Sequence, residues 1–124
     1  MIFGIRKIAR ARANRPVAVA TEEGYAGPYK GKLTGTLGPY AGTEFFLTED
    51  LTTIGSMAGN TIVLSEGGAS RRHAGIQIQD MRFELADFGS TNGTFVNGAK
   101  ITKQFLRDGD EIRIGENRLR FTLK

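Results

Sequence analysis

The sequence predicts an all-β fold, a two-sheet β-sandwich with a basic N-terminal extension. Three observations carry that expectation. From Lys32 to Lys124, short runs rich in Thr, Val, Ile and Phe alternate apolar with polar residues and are broken every few positions by Gly, Asn or Asp, as in half-buried strands joined by tight turns. No helical periodicity is sustained anywhere in residues 32–124. The stretch DEIRIGENRLRFTLK reads as a closing hairpin with one buried face: Ile112 and Ile114 alternate with Arg113, GEN reverses the chain, and Leu119, Phe121 and Leu123 continue the alternation.

The elements follow in chain order. Residues 1–12, MIFGIRKIARAR, set Ile2, Ile5 and Ile8 on a helix-like spacing, with Phe3 beside them and cations between, although Gly4 weakens the helix. The next segment, NRPVAVATEEGYAGPYKG, has Pro, Gly and no periodic pattern. It reads as an extended linker able to lie along a domain surface through Val17, Val19, Tyr25 and Tyr29. The expected division is an arm and linker over residues 1–30 and one domain over residues 31–124.

Within that domain, strands are expected at KLTGTLG, TEFFLT, LTTIG, TIVL, HAGIQIQD, RFELADF, TFVNG, AKI, DEIRIG and NRLRFTLK. The pairs Asn92-Gly93 and Asn97-Gly98 bracket TFV. Asn-Gly is favoured where a tight hairpin needs positive φ, so this short strand should sit between two sharp reversals. The expected core is Leu47, Ile54, Ile62, Val63, Ile76, Phe83, Leu85, Phe95, Val96, Ile101, Leu106, Ile112, Ile114, Leu119 and Phe121.

Composition narrows the function. A chain of 124 residues, 40% hydrophobic, supports one domain with a core rather than two. The absence of cysteine removes disulfides, thiolate metal sites and a cysteine nucleophile. The apolar runs EFFL and TIVL fall far short of the roughly 20 residues that cross a bilayer. A cytoplasmic location is expected, with a position peripheral to a membrane or membrane complex as the alternative.

The net charge of +4 is unevenly placed. Arg6, Lys7, Arg10, Arg12 and Arg15 stand in residues 1–21 without any acid, whereas the rest of the chain sets 12 cations against 13 carboxylates, a net −1. A basic-patch reading therefore attaches to the arm, as a tether to an acidic groove of a larger complex or to an anionic membrane surface. Its short apolar stripe is a poor lipid anchor alone, and nucleic acid is the weaker candidate. A cleaved targeting peptide would share the Arg-rich, acid-poor character but is usually rich in Ser, which residues 1–20 lack.

Four motifs in order, TIGSMAGNTIVL, ASRRHAGI, DFGSTNGTFVNG and LRDGDEIRIG followed by LRF, resemble the forkhead-associated (FHA) domain family over about residues 31–124. The resemblance implies a β-sandwich whose apical loops recognise phosphothreonine. It assigns phosphate contacts to Ser70 and Arg71, and phosphothreonine or peptide-backbone contacts to Thr91 and Asn92, with Arg72 a further candidate. Gly55, His73, Gly93 and Asn97 would brace the loops. The chemistry is consistent, because a dianionic phosphate calls for hydroxyl, amide and cationic donors converging from short loops.

One position departs from the family. Where it usually carries Arg directly after the first-loop Gly, this chain has Ser56. Serine offers one neutral donor in place of a five-donor charged fork, a loss of about 1.5–3 kcal/mol or roughly ten- to a hundredfold in affinity.

Two functions follow. One is a phosphothreonine-reading interaction module, with Ser56 adding a neutral contact. The other is a degenerate FHA scaffold that binds a protein complex independently of phosphorylation, tethered by its arm. Catalysis is not expected: Ser70 and His73 are a nucleophile and a base by type, but no motif places a carboxylate to orient the imidazole. No cofactor is implied. Asp108, Asp110 and Glu111 cluster without the spacing of a calcium loop and read as a polar turn.

Overall fold

The computed structural model describes residues 30–123, which form strands joined by turns. In order they are β1 Gly31–Leu37, β2 Glu44–Leu47, β3 Leu51–Gly55, β4 Ile62–Val63, β5 Ala74–Gln79, β6 Arg82–Asp87, β7 Thr94–Val96, β8 Ala99–Ile101, β9 Lys103–Phe105, β10 Glu111–Ile114 and β11 Asn117–Leu123. They build a six-stranded sheet, β2-β1-β11-β10-β7-β8, and a five-stranded sheet, β4-β3-β5-β6-β9. All pairings are antiparallel except β3 with β4. Residues 1–29 of the expected arm and linker (1–30) lie outside the described residues, and with them Arg6, Lys7, Arg10, Arg12 and Arg15.

Alternation explains the two layers. The six-stranded sheet turns Leu33, Phe45, Leu47, Val96, Ile112, Ile114, Leu119 and Phe121 inward; the five-stranded sheet answers with Ile54, Ile62, Ala74, Ile76, Ile78, Phe83 and Leu85. Burial of such side chains drives the sheets together, each worth about 1.5–3 kcal/mol when fully removed from water. Phe83 and Phe121 meet across the layers, their ring centroids 5.0 Å apart and their planes tilted by 58°, the tilted arrangement that aromatic quadrupoles favour.

Every expected strand is present, β3 and β8 with the expected bounds, β1 displaced one residue toward the N-terminus and the others shorter at one or both ends, but β9 was not expected. Lys103, Gln104 and Phe105 are all exposed, so they carry no alternation. Pairing with β6 makes them a strand. Three expected core residues are only partly buried: Val63, Phe95 and Ile101. Val63 and Ile101 sit on the edge strands β4 and β8. Phe95 lies between the buried Thr94 and Val96 of β7 and therefore faces outward. Leu33, Phe45, Leu64, Ala74 and Ile78 are buried in addition to those expected.

The turns also differ in part. Asn97-Gly98, with φ of 51° and 88°, is the tight hairpin between β7 and β8. Asn92-Gly93 is no hairpin, because it carries the chain from β6 in one sheet to β7 in the other. A second tight hairpin lies at Asp80-Met81, where φ is 55° and 64°. Without Gly, it had no sequence signal.

Met81 is 82% exposed, so its side chain contributes no core contact to offset its left-handed backbone. Met81→Gly should therefore stabilise the domain by about 0.5–1 kcal/mol, the left-handed penalty less the backbone entropy of glycine. Urea unfolding checks this, and a midpoint at or below that of the wild type would contradict it.

Candidate functional site

The strand order brings the loops over residues 56–61, 64–73 and 88–93 to one end of the sandwich. β3 delivers its chain there at Gly55, β5 leaves from there at Ala74, and β6 returns at Asp87. The three loops interlock around Ser70. The Ser56 N–H donates to the Ser70 carbonyl at 2.9 Å, and the Thr91 N–H donates to Ser70 Oγ at 3.0 Å. The Ser70 N–H donates to His73 Nδ1 at 3.0 Å.

His73 joins the second loop to the third. Its side chain has no exposure. Since Nδ1 accepts from Ser70, Nε2 carries the proton and donates to the Gly93 carbonyl at 3.0 Å. The arrangement requires a neutral imidazole in one tautomer. His73 also donates its own N–H to Ile54 and accepts from the Phe88 N–H, so one residue links β3 to both loops.

The first loop is held against the second by close backbone approach. A Cβ on Gly55 would stand 2.1 Å from the Arg71 carbonyl oxygen and 2.8 Å from Asn60 Nδ2. Only glycine permits this contact. Asn60 Nδ2 donates to the carbonyls of Met57 and Arg71 at 2.7 and 2.9 Å, closing the first loop and tying it to the second. At the far side of the second loop, Asn117 Nδ2 donates to the Glu66 carbonyl. The Ser65 N–H donates to the Tyr40 hydroxyl.

Asp87 organises the third loop. Its Oδ1 accepts from the Ser90 hydroxyl and, at 2.6 Å, from the buried Thr94 hydroxyl. Its Oδ2 accepts from the N–H groups of Gly89 and Ser90. Ser90 Oγ in turn accepts from the Gly93 N–H. Burial pushes the Asp87 carboxyl up, but hydrogen bonds from the Ser90 and Thr94 hydroxyls and the Ser90 and Gly89 amides outweigh it. The carboxyl is held below its ordinary value.

The sequence-derived residues thus fall into three groups. Ser56, Ser70, Arg71, Thr91 and Asn92 share the apical end. Arg71, Thr91 and Asn92 are exposed, while Ser56 and Ser70 are half-buried. Arg72 is exposed beside them, its guanidinium 5.7 Å from the ring centroid of Phe88. Gly55, His73 and Gly93 lie beneath that surface and are buried.

Asn97 lies at the opposite end of β7, away from these loops. Its Nδ2 donates to Asp110 Oδ1 and its Oδ1 accepts from the Glu111 N–H. There it braces the turn before β10. Asp110 Oδ2 accepts from the Arg107 N–H, and Asp108 accepts from the Leu123 N–H. These carboxylates are engaged by the fold, and no metal-binding group of His, Cys, Asp or Glu is found among the described residues.

Sequence reasoning missed Asn60, Asp87, Ser90 and Asn117. The signal at Asp87 was legible, since an Asp three residues before a Ser in DFGS is the spacing of a local carboxylate-capped turn. Asn60 and Asn117 bond across loops and leave no local pattern.

A sandwich that gathers hydroxyl, amide and guanidinium groups on loops at one end, over a rigid floor, is an interaction module. The chain belongs to the FHA domain family, whose model matches residues 52–115. Among its relatives, the oxoglutarate dehydrogenase inhibitor of Corynebacterium efficiens is 45% identical over 84 residues, 68% of this chain and 59% of that protein. The glycogen accumulation regulator GarA of Mycobacterium tuberculosis is 37% identical over 113 residues, covering 91% of this chain and 69% of GarA. This chain therefore matches less than two thirds of the corynebacterial protein.

Two solved structures are also similar. An FHA domain analysed for phosphothreonine-dependent interactions superposes with a TM-score of 0.70 at 34% identity, covering 77% of this chain and 97% of its own. Mycobacterium tuberculosis EmbR, in complex with a low-affinity phosphopeptide, gives 0.71 at 30% identity, covering 77% of this chain and 25% of EmbR.

Because the Asp87 carboxyl titrates lower folded than unfolded, its contribution to stability is complete above about pH 5, begins to fall near the unfolded value of about 4, and is lost as pH falls through the folded value. Asp87→Asn should lower stability at pH 7 by about 1–3 kcal/mol through its lost charged hydrogen bonds. It should also flatten the acid limb of a stability–pH profile measured by urea unfolding. An unchanged acid limb would contradict the role given to Asp87.

Proposed function

We propose that the apical end reads phosphothreonine on a protein partner, with Ser70, Arg71, Thr91 and Asn92 making the ligand contacts and Ser56 adding a neutral one. The observation that carries this reading is the interlock on Ser70. Its backbone and hydroxyl are fixed by Ser56, His73 and Thr91, while the side chains of Arg71 and Asn92 have no protein partner among the described residues. Preorganised donors with free charged and amide groups beside them suit an incoming anion, because little reorganisation is needed on binding. The similar domain with phosphothreonine-dependent interactions supports the ligand class.

The proposed role is regulatory binding rather than catalysis. His73 is buried and both its ring nitrogens are engaged by backbone groups, so it is not free to act as a base toward Ser70. The relatives' names, an enzyme inhibitor and a regulator of glycogen accumulation, support an enzyme of metabolism as the partner class.

Ser56 favours a second reading, docking on a protein complex without phosphorylation. Its N–H is committed to Ser70 and only its hydroxyl is left to offer a ligand. The phosphate charge would fall to Arg71 and Arg72 from a neighbouring loop. In either reading the arm of residues 1–21 is the proposed tether to an acidic surface, and deleting residues 1–15 should remove a salt-sensitive association.

Ser56→Arg separates the readings. The half-exposed position leaves room for a longer side chain, and the substitution should strengthen binding of a degenerate phosphothreonine peptide pool by roughly ten- to a hundredfold. Fluorescence anisotropy with phosphorylated and unmodified pools checks this. Equal gains for both pools, or none, would contradict phosphate reading by these loops.

A further inference from the structure

The near-neutral balance of residues 22–124 conceals a segregation of charge. On the outer face of the six-stranded sheet, one cross-strand row runs Lys100, Phe95, Arg113, Arg118. Register fixes it: Phe95 lies opposite Lys100, Arg113 opposite Phe95, and Arg118 opposite Arg113. The neighbours Val96, Ile112, Ile114 and Leu119 are buried, so alternation turns the whole row away from the core.

The row is unbalanced electrostatically. Two guanidinium groups stand directly opposite on β10 and β11, a juxtaposition that destabilises a sheet. Arg118 has only a marginal partner in Glu111, at 3.9 Å. Among the described residues, neither Arg113 nor Lys100 has a carboxylate within ion-pairing reach. Arg113 instead stacks 4.1 Å above the Phe95 ring centroid, an attraction that restrains its guanidinium on this face. The exposed Lys100 chain lies over Gly93, its Cε 3.0 Å from where a Cβ there would stand.

We infer that this row is a docking strip for an acidic polypeptide segment, which meets the third apical loop only where Lys100 lies over Gly93 and is independent of whether the loops read phosphate. Three cations around an aromatic ring complement a few carboxylates and relieve the opposed guanidinium pair. The dimensions agree. Three strand steps span about 14 Å, the length of about four residues of extended peptide. Nucleic acid fits poorly, because duplex-binding proteins typically make about 6–10 phosphate contacts. Anionic membranes are held by clusters of about four to eight cations.

Titration of octaglutamate into the isotope-labelled full chain at low salt, followed by amide NMR, tests the strip. The peptide should shift the amides of Phe95, Lys100, Arg113 and Arg118. The double variant Arg113→Gln/Arg118→Gln should bind at least tenfold more weakly at these positions while keeping a folded spectrum, and Lys100→Gln should weaken them in the same direction. Ser70→Ala should leave this binding unchanged. Shifts confined to residues 1–21, shifts that survive the double variant, or tighter binding of an eight-residue oligothymidylate at the same amides would each overturn the inference.

Discussion

The apical end depends on one buried neutral imidazole. His73 accepts from the Ser70 amide through Nδ1 and gives its Nε2 proton to the Gly93 carbonyl, so the second and third loops share a single ring. A buried polar group left without its partner costs about 1–3 kcal/mol. Moving either loop would therefore orphan a backbone group as well as the ring. The first loop joins by steric means, since Gly55 allows the Arg71 carbonyl to approach where any side chain would collide. Packing supplies the floor, and this hydrogen-bonded ring fixes what stands on it.

Much of the fold was legible because its signals are local. Alternating Ile112 and Ile114 around Arg113 specify a half-buried strand, and Asn97-Gly98 specifies a turn. β9 was not legible because Lys103–Phe105 owes its extended form to β6 and not to its own pattern. Phe95 was misjudged for a related reason. An aromatic residue in a short strand looks like core, but the pleat assigned it to the outer face, where Arg113 covers it.

At the candidate site, motif order was enough to bring Ser56, Ser70, Thr91 and Asn92 to one end. What escaped was the bracing across loops by Asn60 and Asn117, each acting on a residue distant in sequence. Composition also misled in one respect. A sum over residues 22–124 gives near-neutrality, yet a two-fold strand period sorts charges by face. Lys100, Arg113 and Arg118 thereby become neighbours although they are scattered along the chain.

A preorganised Ser70-centred surface is proposed to accept phosphothreonine although Ser56 stands where a guanidinium would be expected. NMR titration of the isotope-labelled protein with O-phospho-L-threonine, beside unmodified threonine, tests it without assuming any flanking peptide sequence. Saturable shifts are expected at the amides of Ser56, Ser70, Arg71, Thr91 and Asn92 with the phosphorylated amino acid alone. Equal shifts with threonine, or shifts centred on the opposite end of the sandwich around Asn97 and Asp110, would contradict it.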